Sequence, residues 1–248
     1  SVHGHTVLDL SLQPLQANFA LPLVHEAAGP NDRAMLDIAV AAEVNLVGDP
    51  ILVAVDAARQ AGNSPNTVMA AAAAHLTPVT LELGGKAPAV VCDDFPLPVA
   101  AERILYVKFL NAGQICTTVD HVFVPRAQVA EFAALAARIV PTFYPHLDSP
   151  DYTSIIDQRS FDRLLHALDD ARARGARVTS LLPGAAIDRI RRKIAPHLVL
   201  DAPADCELMQ REIFGPVLPV IAYDSLDEAI ERINPGPCPL ALYPFSHD

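Results

Sequence analysis

The chain has 248 residues, 51% of them hydrophobic, which is enough for one large core or two modest ones and too much for general disorder. Its net charge of -11 gives no basic footprint for nucleic acid or an anionic membrane surface, and no apolar run approaches the roughly 18 residues of a membrane span. The four cysteines, at 92, 116, 206 and 238, form no CxxC pair and have no histidine at metal-ligand spacing, so neither a metal site nor a disulfide framework is expected and a reducing cytoplasm fits.

Residues 1–79 carry the weakest pattern. Within them the run Val68 to Leu76 reads as a plain Ala-rich packing helix, with Pro65 suited to a first helical turn. The strand VTLEL at Val79 to Leu83 follows and ends at Gly84-Gly85, where paired glycines permit a tight turn. APAVVC is a β-branched run suited to a buried parallel strand, and places Cys92 as a buried thiol. A helix from Leu97 to Leu110 breaks at Gly113, and the strand VDHVFV comes after it.

Helical spacing recurs at Val129, Phe132, Ala133 and Ala136, at Phe161, Leu164, Leu165 and Leu168, and at Leu226, Ala229, Ile230 and Ile233. Strands are expected near Val178 to Leu182, Val217 to Ala222 and Leu240 to Phe245. The basic run Arg189, Arg191, Arg192 and Lys193 reads as a solvated helix face. Repeated strand-helix alternation predicts an α/β fold with a mainly parallel sheet.

Two residue types in this order can do chemistry. Cys116 lies on the loop after Gly113, and a loop thiolate is a strong nucleophile. Glu82 stands near a strand tip, where a carboxylate can take a proton from water. In isolation each has an ordinary reading, a lone Cys as a buried small hydrophobe and a lone Glu as a solvated charge.

Three ordered strings change that balance. ELGGK at Glu82 to Lys86, GQIC at Gly113 to Cys116 and REIFGP at Arg211 to Pro216 resemble the signatures of the NAD(P)-dependent aldehyde dehydrogenase superfamily. HLTPVTLELGGKAP and LNAGQIC are similar to its coniferyl-aldehyde-type branch. The resemblance implies residues 1–83 as a shortened, diverged, Rossmann-like cofactor-binding domain and residues 84–248 as a catalytic domain incomplete at its C-terminal end. It further implies a chain truncated at both ends, without the hairpin and strand through which relatives become homo-oligomers.

Carried over residue by residue, the resemblance makes Cys116 the nucleophile toward an aldehyde and Glu82 the base that activates water on the resulting thioester. Glu212 would hold the nicotinamide-side ribose of NAD or NADP, and Phe214 would pack beside the nicotinamide ring. Gly62 would belong to the loop that meets the cofactor pyrophosphate at a helix N-terminus. Lys86 and Asn111 are read as structural supports of the turn and the Cys loop. His75, His121, His166 and His197 match no catalytic position and are read as surface or packing residues.

The departures fall at functional positions. Leu12 stands where the family has an oxyanion-donating Asn, Asp37 where it has a cofactor-binding Lys, and Ala39 and Val40 follow in place of Ser and Glu. Two other readings therefore stand beside aldehyde oxidation. One is an impaired remnant that serves as a binding or assembly partner; the other is dinucleotide-independent ester hydrolysis by the thiol.

Overall fold

A computed structural model of the chain describes residues 52–55, 73, 79–82, 84–184, 186–236 and 238–247. The chain divides into two compact units, 1–83 and 84–248. In the first, β1 (Leu52–Val55) and β2 (Val79–Glu82) form a parallel pair, with Val55 opposite Glu82. Of the expected 68–76 helix only Ala73 is described, and it is helical and exposed; Gly62 and the divergent positions Leu12, Asp37, Ala39 and Val40 lie outside the described residues.

The second unit is built on a six-stranded sheet in the order β10-β3-β4-β9-β8-β5. Its strands are β3 (Pro88–Val91), β4 (His121–Pro125), β5 (Arg177–Ser180), β8 (His197–Leu200), β9 (Val217–Tyr223) and β10 (Tyr243–Phe245). All neighbouring pairs are parallel except β5 with β8. The helices are α1 (Leu97–Phe109), α2 (Val129–Phe143), α3 (Gln158–Ala173), the single turn α4 (Glu207–Gln210) and α5 (Leu226–Ile233).

Alternation along the central strands sorts their side chains onto two covered faces, as a parallel sheet requires. Ala89, Val91, Val122, Val124 and Val220 join the main core with Ile104 and Phe109 of α1, Phe132 of α2 and Leu164 and Leu168 of α3. Val90, Phe123, Ile221 and Tyr223 face the other way, onto Ala229 of α5. The two later helices start at side-chain caps: Asp157 accepts the Ser160 N–H at 2.6 Å, and Ser225 accepts the Glu228 N–H at 3.2 Å.

Several local expectations change. Arg189, Arg191 and Arg192 lie in the turn joining β6 (Ile187–Asp188) to β7 (Lys193–Ile194), and Lys193 opens β7, so the basic run is not a helix face. The reason is Asp188, whose Oδ1 accepts the N–H groups of Ile190 and Arg191, an Asx turn that competes with helix. Strand β8, opened by a histidine and four residues long, carried too little pattern to be expected. Strand β10 starts at Tyr243 rather than Leu240, and Cys92 lies just past β3 and is half-buried.

Candidate active site

Cys116 is exposed on the loop between α1 and β4, and its approach is set by backbone. Helix α1 runs into a 3-10 turn, Leu110–Gly113, in which Asn111, Ala112 and Gly113 all have left-handed φ, at 51°, 52° and 72°. Such a conformation is strained for Ala112 and costs Gly113 nothing. The Asn111 side-chain amide donates to Gln114 O at 3.1 Å, and Gln114 Nε2 donates back to Asn111 O and to Ser154 O at 3.0 Å. Beyond the thiol, Thr118 Oγ1 donates to Val107 O at 2.8 Å and the Tyr243 hydroxyl of β10 donates to Thr117 O. The loop is therefore pinned on both sides of Cys116.

The REIFGP segment is seated against that loop. A β-carbon at Gly113 would overlap the Gly215 carbonyl, and one at Gly215 would overlap the Leu164 side chain of α3. Both positions require glycine for close approach. Phe214, half-buried, has a φ of 46°, another strained position beside the tight contact. The Glu212 carboxylate lies directly over Gly84, so closely that a β-carbon there would overlap Oε2.

An ionic cluster fastens the GGK turn to the REIFGP segment through Asp120, which follows the Cys116 loop. Lys86 Nζ donates to Asp120 Oδ2, to Leu208 O at 2.8 Å and to Arg211 O at 3.0 Å, which uses all three of its donors. Asp120 Oδ1 accepts the Ile213 N–H at 2.8 Å, and Oδ2 lies 3.3 Å from His121 Nδ1. Burial alone would push the Asp120 carboxyl up; the Lys86 ammonium, the His121 hydrogen bond and Lys108 outweigh it and hold the group at about 2. His121 moves down because burial disfavours its charged form.

The sequence-predicted residues thus separate into two groups. Cys116, Glu212 and Phe214 are brought into one neighbourhood by the Gly113–Gly215 approach and the Gly84–Glu212 contact. Glu82 closes β2 in the other unit, its side chain outside the description, and Gly62 lies outside the described residues. Asp120 and the fully buried Lys108 were not anticipated. Each had a signal: a carboxylate opening an apolar strand, and a lysine on the apolar stripe of α1 four residues after Ile104.

Residues 59–248 match the model of the Aldehyde dehydrogenase family. The chain belongs to that family. Over 182 residues it is 49% identical to a probable coniferyl aldehyde dehydrogenase of Pseudomonas aeruginosa, covering 73% of this chain and 37% of the relative. It is 42% identical over 183 residues to the mouse (Mus musculus) dimeric NADP-preferring aldehyde dehydrogenase, covering 73% and 39%. A substrate-bound structure of Staphylococcus aureus AldH superposes with a TM-score of 0.69 at 36% identity, over 80% of this chain and 41% of that one. This aldehyde dehydrogenase-family chain therefore spans well under half the length of the relatives it matches.

Among the described residues no helix is long and apolar enough to cross a membrane.

Proposed function

We propose that the chain carries the thiol site of an NAD(P)-dependent oxidation of an aldehyde to a carboxylic acid. One observation carries the reading: the GGK turn, the Cys116 loop and the REIFGP segment, far apart in sequence, are locked together by Lys86, Asp120 and the paired glycines. Lone motifs do not do this.

In this reading the Cys116 sulfur attacks the aldehyde carbon, forming a C–S bond and a thiohemiacetal alkoxide. A bound dinucleotide would supply the acceptor for the hydride of this carbon, and the oxygen held at Cys116 would then become the carbonyl of a thioester on that sulfur. Glu82 takes a proton from water as its oxygen bonds to the thioester carbon; the C–S bond then breaks, giving the acid and the Cys116 thiolate. Residues 1–83 act as the cofactor-binding domain and 84–248 as the catalytic domain.

The residues present suit the nicotinamide half of such a cofactor. Glu212 offers a carboxylate to two ribose hydroxyls from a position that Gly84 keeps clear, and Phe214 offers a half-buried ring two residues on. A coniferyl-like aldehyde is the proposed substrate class, on the strength of the 49% identical relative. NAD and NADP are both candidate cofactors, and the elements through which family members usually form homo-oligomers are those the sequence reading finds missing.

Calorimetric titration with NAD and with NADP, followed by aldehyde-dependent NAD(P)H formation, tests the reading. Saturable micromolar binding and turnover that vanishes in Cys116→Ala and falls at least a hundredfold in Glu82→Gln are expected. A folded chain that binds neither dinucleotide sinks it. Cys116-dependent hydrolysis of an activated ester without added dinucleotide would instead support the second reading, to which the exposure of the thiol lends weight.

A further inference from the structure

Two backbone turns meet at Gln114, and Cys116 is in the second. The Gln114 N–H donates to Asn111 O at 3.1 Å, closing the left-handed turn, and the Thr118 N–H donates to Ile115 O at 3.0 Å, closing a turn with Cys116 at its second position. The Gln114 side chain ties this junction to a distant stretch. Its Nε2 donates to Asn111 O at 3.1 Å and to Ser154 O at 3.0 Å, and its Oε1 accepts the Ile156 N–H at 2.9 Å. Two carbonyls and one N–H fix which end of the amide faces which partner.

Residues 154–156 pair with this amide in the pattern of a strand edge. The backbone groups of Ser154 and Ile156 turn toward Gln114, while those of Ile155 turn the other way: its N–H donates to Arg192 O at 2.8 Å and its carbonyl accepts Arg192 Nε at 3.2 Å. Side chains alternate too, with Ile155 buried and Ile156 exposed. The amide thus takes the place of a neighbouring strand. Through the Asp157 cap the same stretch enters α3, where Arg163 Nη2 donates to Ile213 O at 2.7 Å and Leu164 packs on Gly215. One end of residues 154–164 therefore holds the thiol loop and the other holds the REIFGP segment.

We propose that Gln114 is a positioning residue for Cys116: its amide registers the thiol turn against the stretch that enters α3, and so against the segment that carries Glu212 and Phe214. The inference rests on the reading of Cys116 as the nucleophile given above. Glutamate cannot replace the amide, because a carboxylate donates to neither carbonyl. Loss of the amide should leave Glu212 and Phe214 in place and free the thiol from its fixed approach.

Gln114→Met keeps the length of the side chain and removes all three bonds. Amide exchange followed by NMR should speed up about tenfold at Ile156 and at Thr118. Site-resolved mass spectrometry should show iodoacetamide alkylating Cys116 about threefold faster, with the exposed Cys238 as an unchanged reference. Faster exchange at Ile156 with Thr118 and Cys116 unmoved would make Gln114 a support of residues 154–156 alone and overturn the proposal. In turnover, kcat should fall about tenfold while the dinucleotide Kd stays within about twofold of wild type; a weaker Kd at unchanged kcat overturns it as well. Should the methionine chain not fold, Gln114→Glu, which still accepts the Ile156 N–H, is expected to show the faster Thr118 exchange and Cys116 alkylation, and wild-type rates in it count against the role. A wild type that binds neither dinucleotide removes the aldehyde-oxidation reading, and exchange and alkylation still decide whether Gln114 sets the thiol turn.

Discussion

Gly113 and Gly215 meet with no room for a β-carbon on the first, so the turn before the thiol and the segment after Glu212 are a single packed junction. Gly113 also has a φ of 72°, which makes any replacement doubly costly. Gly113→Ala should destabilise the chain by about 3 kcal/mol from strain and overlap combined. Urea denaturation reads this directly, and a midpoint within error of wild type would show that the junction yields easily.

Removing one member of the buried ion pair should be severe. Asp120→Ala strands Lys86 and leaves the Ile213 N–H without its acceptor. A loss of about 3–5 kcal/mol is expected. Changing both Lys86 and Asp120 to apolar residues should cost less than the two single losses summed, and strict additivity in that double-mutant cycle would contradict the described pairing.

Acid should act in two stages. Burial pulls His197 down to about 4, against its hydrogen bond to Ala195 O and with help from the Arg172 charge. Its folded value lies below the unfolded 6.5 or so, so its contribution is complete above about pH 6.5 and is lost as pH falls through 4, up to about 3 kcal/mol. His121 adds in the same direction. Asp120, held at about 2, contributes fully above its unfolded value near 4 and loses about 2–3 kcal/mol as pH falls toward 2. Urea midpoints from pH 7 to pH 4 should flatten in His197→Asn, and a parallel slope in wild type and variant would exclude His197 as the source.

Tyr243→Phe should cost only about 1 kcal/mol, the ordinary worth of one hydrogen bond. Its larger effect should be local, because the hydroxyl holds the carbonyl of Thr117, next to the thiol. Alkylation of Cys116 by iodoacetamide should change in rate several-fold while global stability barely moves. Unchanged alkylation would mean the loop is fixed without Tyr243.

Sequence pattern located the elements with long apolar periodicity and missed those decided by a single side chain. The Phe161, Leu164, Leu165 and Leu168 stripe became α3, because four buried side chains on one face dominate any local preference. The Arg189–Arg192 turn departs from the expected helix face because Asp188 captures two backbone N–H groups, a choice that periodicity does not register. At the candidate site the motif residues were legible, whereas Asp120 and Lys108 were not. Their environment is assembled from β3, β4, α1 and the REIFGP segment, and no local window of sequence contains it.

Strand β10 reaches the sheet beside β3, although more than a hundred residues of chain separate them, and it brings the hydroxyl that holds Thr117. During synthesis β3, α1 and the thiol loop therefore leave the ribosome long before their outer neighbour exists. Until residue 243 has been made, β3 lacks its β10 partner and the Cys116 loop lacks one of the hydrogen bonds that pin it. The Tyr243 hydrogen bond to Thr117 can therefore form only after the whole stretch from β3 to β10 has been made, and a chain clipped before Tyr243 would lack it.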